Sequence, residues 1–427
     1  KIVAYRWSVG QQTYYQVTSL TIPTLNDTTV DSIQIVDTLA DASIIGNNII
    51  YTTGGVIENI AAPAIDVMTL FKSRLIALDA EDKNLLWYSK QVIETVPVDM
   101  SDLFTIYVAP TIGAQGNTGP IRALSSMDDK LIIFKSNAIN YLTGNGPDNT
   151  GANNDFSEPV FITSTVGCSN QNSIVFMPDG LMFQSDKGIW LLGRDLSTQY
   201  IGAPVEGFTQ DATVLSAVNV PGTNQVRFTL DSGVTLMYDY YFRQWGSFSN
   251  IPAIASTLYQ NLHTFINSRG EAYQETPNTY LDGTKPVLMK FKTSWLNLAG
   301  LQGFERAYFF YFLGRYITPH KLGISIAFDY NDSFTQSRTF EPDNYNVPYG
   351  GLPLWGSDSP WGGNGNVEQG RVFLDRQKCQ AFQITVEELY DPSFGVAAGA
   401  GFTMSGLNLV VGAKKSYTAT LKPNRSI

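Results

Sequence analysis

The sequence predicts an all-β chain, with a β-propeller-like repeat domain and flanking β-sandwich-like domains. Three observations lead there. A strand–turn–strand frame recurs through the middle of the chain. The composition pairs 12% aromatic and 15% charged residues with 37 Gly and 20 Pro, which favours strands and turns. No apolar period of three to four residues is sustained over a dozen positions, so long helices are not expected.

The frame is clearest in Gly180-Leu181-Met182-Phe183-Gln184-Ser185-Asp186-Lys187-Gly188-Ile189-Trp190. It recurs at Gln225 to Thr235 and at Leu262 to Tyr273, each copy placing a Phe five residues before a Gly: Phe183/Gly188, Phe228/Gly233 and Phe265/Gly270. A looser copy runs from Lys130 to Ile139 with Ala138 in the glycine place, and the loosest joins Arg74–Leu78 to Leu85–Tyr88 across a longer turn. Ser, Asp or Asn before Gly supplies the positive φ of a hairpin turn. A single hairpin cannot bury its own apolar face, so repeated hairpins must stack on neighbours. The three Phe positions are 45 and 37 residues apart, and Ile133 lies 50 before the first. Repeats of roughly 40–50 residues with several strands each have the spacing of propeller blades. A β-sandwich with similar hairpins is the alternative.

At 427 residues the chain is too long for one ordinary core. Residues 1–55 read as a partial N-terminal β domain, with alternation in Tyr14–Ile22 and Ser32–Asp37, whose front is expected to be absent. Residues 56–285 form the repeat domain, in which Tyr238 to Trp245 reads as an aromatic strand ending a blade. Residues 286–413 read as a C-terminal sandwich, with longer strands at Val287–Asn297, Arg306–Tyr316, Lys321–Asp329, Gly370–Leu374 and Ala381–Val386. A long Trp/Gly loop occupies 345–369, and 414–427 reads as an extended tail. No apolar run approaches the ~20 residues of a membrane-spanning helix.

Candidate chemistry is sparse. Only His263 and His320 are available, and no nucleophile elbow, phosphate loop, zinc motif or dinucleotide fingerprint occurs. Asp128-Asp129 and Glu387-Glu388 are adjacent, so on a strand their side chains face opposite ways; solvated turn carboxylates are the stronger reading. Asp329-Tyr330-Asn331-Asp332-Ser333 lacks the glycine and closing glutamate of a calcium loop. Cys168 and Cys379 have no metal-type neighbours and read as buried, reduced thiols. No catalytic residue, cofactor or metal is expected. The formal charge of −10 argues against gripping nucleic acid by its phosphates, but suits a surface past which DNA slides.

The order of segments resembles the tail nozzle, or tail hub (packaged-DNA stabilising), proteins of short-tailed bacteriophages. The runs that carry the resemblance are Arg74 to Lys90, Met127 to Lys135, Gly167-Cys168, Pro178 to Trp190, Ile201 to Glu206, Asn224 to Phe228 and Tyr238 to Trp245. They are scaffold motifs and cover most of residues 50 to 330. The resemblance implies a structural virion protein of the phage tail, not an enzyme. It implies assembly as a homo-oligomeric ring, expected to be a hexamer, below the portal and adaptor proteins and beside tail fibres or other tail proteins. Such a ring extends and closes the DNA channel, with roles in genome retention and ejection, and passes DNA without sequence-specific binding. The Trp/Gly loop, with Tyr345, Tyr349, Leu354, Trp355 and Trp361, is the candidate subunit-contact or gate loop. The alternative is a carbohydrate-binding or glycoside-hydrolysing propeller, because Ser185 to Trp190 is similar to a shortened Asp-box turn of sialidase-type propellers.

Overall fold

The computed structural model describes residues 2–19, 21–22, 24–49, 57–94, 97–110, 118–298, 305–316, 320–331, 333, 336–341, 367–390 and 401–413. The chain is nearly all-β, built from small antiparallel sheets. It divides into two compact units, Lys1–Glu275 and Thr276–Ile427, so residues 276–285 fall in the second.

Five meander sheets dominate the first unit, and in each the strands pair in chain order. The first comprises Ile65–Phe71, Arg74–Asp79, Leu85–Tyr88 and Thr105–Tyr107. The second comprises Ile121–Met127, Lys130–Lys135, Ile139–Leu142 and Val160–Thr163. Val175–Met177, Gly180–Ser185, Gly188–Gly193 and Thr198–Tyr200 make the third. The fourth is Val214–Val220, Gln225–Leu230, Thr235–Asp239 and Gln244–Phe248. The fifth has three strands, Ala253–Tyr259, Leu262–Asn267 and Ala272–Gln274.

The five sequence frames are the second and third strands of these five sheets. Gly188, Gly233 and Gly270 take φ of 91°, 83° and 79°, the left-handed conformation that their turns demand. Of the turns between first and second strands, Asp128-Asp129 reads as a turn from its carboxylates, but two others that also use no glycine were not legible. Lys72-Ser73 and Gln260-Asn261 each hold two consecutive positive φ values, the geometry that matches strand twist in a two-residue hairpin. In four sheets the register also slips near the start of the first strand, at Ile65/Val67, Ile121/Ala123, Val214/Ser216 and Ala253/Ala255. Such bulges bend and twist a strand locally.

Stacking of neighbouring sheets builds the core. Ile76, Leu78 and Tyr88 of the first sheet pack on Leu124, Leu131 and Ile133 of the second. Phe134 and Ile139 of the second meet Leu181 and Phe183 of the third, with the two Phe rings 4.9 Å apart. Met182 and Ile189 of the third meet Val226, Phe228 and Leu236 of the fourth. The frame's Phe is thus a seam residue. Burying one such side chain contributes roughly 1.5–3 kcal/mol.

The first strands are sheet edges, and unpaired edge groups must find partners elsewhere. Neighbouring sheets supply them by side chain. Gln171 donates to the Leu124 carbonyl (3.0 Å) and accepts from its N–H (2.8 Å). Gln184 does the same for Ala212 O (2.6 Å) and Val214 N–H (2.8 Å), and Ser216 Oγ accepts from Ser256 N–H at 2.8 Å.

Three expectations in this unit are corrected. Ser32–Asp37 is not a strand: Val36 is exposed, and the segment is held instead by Arg6, which reaches Asp37 (2.6 Å), Leu39 O (2.8 Å) and Asp41 (2.9 Å). Tyr238 to Trp245 is a hairpin and not one strand. Asp239 accepts from the N–H groups of Tyr241 and Phe242, which turns the chain and leaves both rings exposed. Of the alternation in Tyr14–Ile22, only Thr13–Gln16 forms a strand, paired with Tyr5–Ser8.

In the second unit two four-stranded antiparallel sheets share one apolar core. One sheet orders Lys290–Lys292, Phe382–Leu389, Lys321–Phe328 and Gln336–Phe340; the other joins Val367–Phe373, Glu305–Tyr316, Lys378–Cys379 and Phe402–Ala413. Phe310, Phe312, Ile324, Ile326, Phe382 and Ile384 lie in the core between them. Val287–Asn297 is corrected: only Lys290–Lys292 pairs as a strand, because the Thr293 hydroxyl accepts the Ile384 N–H (3.0 Å) that a continuing ladder would use. The Gln336–Phe340 and Phe402–Ala413 strands were not foreseen.

Gly167 lies against the Lys135–Ser136 backbone, where a Cβ would come within 2.2 Å of Lys135 O. Gly167→Ala is therefore expected to destabilise the first unit by about 1–3 kcal/mol, measured by thermal unfolding. An unchanged melting temperature would show that the segment yields freely.

Candidate functional site

Tyr345, Tyr349, Leu354, Trp355 and Trp361 lie outside the described residues, as does the tail 414–427. The remaining sequence candidates have definite places. Asp128 and Asp129 form the turn after Ile121–Met127, with Asp128 paired to Arg194 and Asp129 2.6 Å from Lys130 Nζ. Glu387 and Glu388 point opposite ways on their strand: Glu387 reaches Lys290 (3.0 Å) in solvent, while Glu388 is buried. Asp329 meets Arg376 at 2.6 Å and accepts the Gln380 N–H. Cys168 and Cys379 are buried, and burial pushes Cys168 up to about 11, which leaves it a poor nucleophile. Among the described residues no group of three His, Cys, Asp or Glu could hold a metal ion.

The structure's most distinctive polar chemistry is buried, and sequence reasoning missed most of it. The seam between the fourth and fifth sheets carries Arg227 and His263 where other seams carry Phe. Arg227 donates to Glu275 (2.9 Å), Gln225 (3.0 Å) and His263 Nδ1 (3.0 Å), and its guanidinium lies 5.2 Å from the Phe248 ring centroid. Since guanidinium only donates, His263 Nδ1 must accept, which fixes the neutral tautomer with its proton on Nε2. Burial, then the Arg227 charge, lower His263 to about 4, with Glu275 opposing.

Three further cations are buried against backbone carbonyls, with no carboxylate in contact. Arg74 donates to Ser89 O (2.8 Å) and Pro147 O, beneath the rings of Tyr88 and Phe104. Lys90 Nζ reaches Ile57 O and Asn59 Oδ1. Lys135 donates to Val108 O (3.0 Å) and Ala109 O (2.9 Å), and burial lowers it to about 8. Each stands on or beside a meander strand and pins a connecting segment, which makes positioning its function.

In the second unit His320 and Glu388 are buried, Nδ1 to Oε1 3.4 Å. Burial raises Glu388, but the His320 contact and the N–H groups of Met289 and Phe402 outweigh it and hold the carboxyl below its usual value. Gly401 (φ +59°) packs so closely that a Cβ would meet Glu388 Oε1 at 2.1 Å. A surface cleft of about 510 Å³ opens beside Lys72, Gln91, Asn145 and Asp148. Asp148 there is occupied with its own loop: hydrogen bonds from the Thr150 hydroxyl, the Ala152 and Thr150 N–H groups and Asn153 hold it at about 2.

No protein-family model matches the chain, and no curated protein matches its sequence. Solved structures give remote likenesses. PorZ, a bacterial surface component of the type-IX secretion system of Porphyromonas gingivalis, is 9% identical at TM-score 0.34, over 55% of this chain and 30% of its own. A chain of the mitotic checkpoint complex is 10% identical at TM-score 0.30, over 49% of this chain and 62% of its own. The designed Ika4 protein is 14% identical at TM-score 0.23, over 38% of this chain and 93% of its own. The chain thus spans less than two thirds of the length of the first two. None of the three bears on what this chain does.

Two pH dependences follow from the buried groups. His263 is neutral when folded and titrates near the ordinary histidine value of 6.5 when unfolded, so the unfolded state binds more protons between pH 6.5 and 4. Stability is expected to fall as pH drops through that window, by up to about 1.4 kcal/mol per pH unit. His263→Gln should flatten that slope in denaturant titrations; an unchanged slope would place the proton uptake elsewhere. Lys135 acts at the other end. Its folded value lies below 10.5, so stability is expected to rise between pH 8 and 10.5, and Lys135→Met should lose that rise.

Proposed function

We propose that the chain is a structural protein of a short-tailed phage virion, a tail nozzle or hub subunit that assembles as a ring and extends the DNA channel below the portal and adaptor. The observation that carries the reading is where the resemblance falls. Its longest runs, Arg74 to Lys90, Met127 to Lys135 and Pro178 to Trp190, are the turns and strands that build three consecutive meanders. On this reading the five meanders are propeller blades with their first strands inward, since the first strands of the third, fourth and fifth sheets lie against one another in sequence, as do those of the first and second. The second unit is then a β-sandwich.

The electrostatics agree with a conduit. With a net charge of −10, phosphates are repelled along the wall, so a duplex passes without being held. The buried polar groups serve the scaffold and leave none converging on a substrate space among the described residues. That favours a structural role over the carbohydrate-active alternative. Tyr345, Tyr349, Leu354, Trp355 and Trp361 remain the proposed contact or gate residues.

Native mass spectrometry of the purified chain, alone and with the portal–adaptor assembly, tests the proposal. A closed oligomer, six copies on this reading, is the expected result. A chain that stays monomeric in both conditions, and that binds or cleaves glycans in an array or hydrolysis screen, would sink it in favour of the alternative.

A further inference from the structure

The solvent face of one sheet in the second unit does not look like an ordinary exposed face. On Glu305–Tyr316 the outward residues are Phe309, Tyr311, Leu313 and Arg315; beside them stand Gln369, Arg371 and Phe373 on one neighbour, Asn408 and Val410 on the other. None of these positions carries Asp or Glu, in a chain with 38 acidic residues. Leu313 is 39% exposed and Phe373 56%. Arg371 lies 3.9 Å over the Phe309 ring and 4.3 Å over Phe373, and it forms no ion pair among the described residues. Aromatic side chains and Arg on a face depleted of carboxylates have the composition of a protein–protein hot spot.

The same chain carries a surface of opposite character. Residues 97 to 110 contain no Lys or Arg, but include Asp99 and Asp102. Here, on and just before the edge strand Thr105–Tyr107 of the first meander, Leu103 and Tyr107 are 51% and 54% exposed. One surface is apolar and cationic, the other apolar and acidic.

We propose that the Phe309–Arg371–Phe373 face of one copy docks on the acidic Asp99–Tyr107 edge of a second copy of this chain. The proposal rests on the ring reading and names its contact. The two surfaces are different patches, so the contact is heterologous, the kind that generates rings when the rotation closes. Charge complementarity steers the encounter, and the exposed apolar side chains supply the desolvated centre. Single-stranded nucleic acid is disfavoured as the occupant. Arg371 already covers the rings on which bases would stack, and two arginines are few for tracking phosphates.

The test is sedimentation of the full chain across a concentration range, for the wild type, Arg371→Glu, Phe373→Ser, and an equimolar mixture of Arg371→Glu with Asp102→Lys. All changes are at exposed positions, and circular dichroism with thermal unfolding verifies the fold of each variant. Concentration-dependent association is expected for the wild type, weakened at least tenfold in both single variants of the face and partly restored in the charge-swapped mixture. Wild-type association that both face variants retain would overturn this contact and leave the ring reading standing. A wild type that stays monomeric, alone and with the portal–adaptor assembly, overturns both. Binding of oligo(dT) by the wild type that Arg371→Glu abolishes would assign the face to single-stranded nucleic acid, and would overturn the proposal.

Discussion

Everything in the first unit depends on one constraint: a short antiparallel meander has two faces and cannot bury either by itself. Each sheet must therefore be a wall for the next. The seams show how the sequence meets that demand. Ile133, Phe183 and Phe228 occupy comparable places in successive sheets, and each is buried. Stacking also brings the first strands, which are sheet edges, close to a neighbour, where side-chain amides and a hydroxyl can complete their hydrogen bonding. Gln171, Gln184 and Ser216 act as short substitutes for a pairing strand. Packing and edge satisfaction are thus one solution.

The fourth and fifth sheets depart from this pattern in an informative way. Their seam replaces an apolar cluster with Arg227, His263 and Glu275, a set that is strong only while every donor and acceptor is matched. His263 Nε2 has no partner among the described residues, so the matching is incomplete there. The fifth sheet is also the one with three strands. Polarity, incomplete hydrogen bonding and the lack of a fourth strand among the described residues coincide at one end of the series, and lower local stability is to be expected there than in the four preceding sheets.

How much of this could be read from sequence depended on whether a local signal existed. Three of the five central hairpins were fully legible because Phe, a polar turn and Gly188, Gly233 or Gly270 write both the strand pattern and the turn conformation into a dozen residues; the other two showed only as looser copies. The hairpins at Lys72-Ser73 and Gln260-Asn261 were not, because residues without a strong turn signature were driven into positive φ by the pairing of their flanks. Ser32–Asp37 alternates like a strand yet finds no partner, a failure that only tertiary context reveals. The site was less legible still. Arg227 and His263 are 36 residues apart and meet only through sheet stacking, and Arg371 becomes unusual only once Phe309 is known to lie beneath it. The loop with Trp355 and Trp361 was singled out by composition alone.

The buried cations carry a last implication. Arg74, Lys90 and Lys135 take hold of the segments around Pro147, Ile57 and Val108–Ala109 by main-chain oxygen, which every amino acid possesses. Apart from the Asn59 side chain that Lys90 also holds, the grip is blind to the side chains of what it grips. Such segments are free to drift in sequence while keeping their course, so a lineage of these proteins can rewrite its connecting loops, and whatever they touch, as long as three long basic side chains stay where they are.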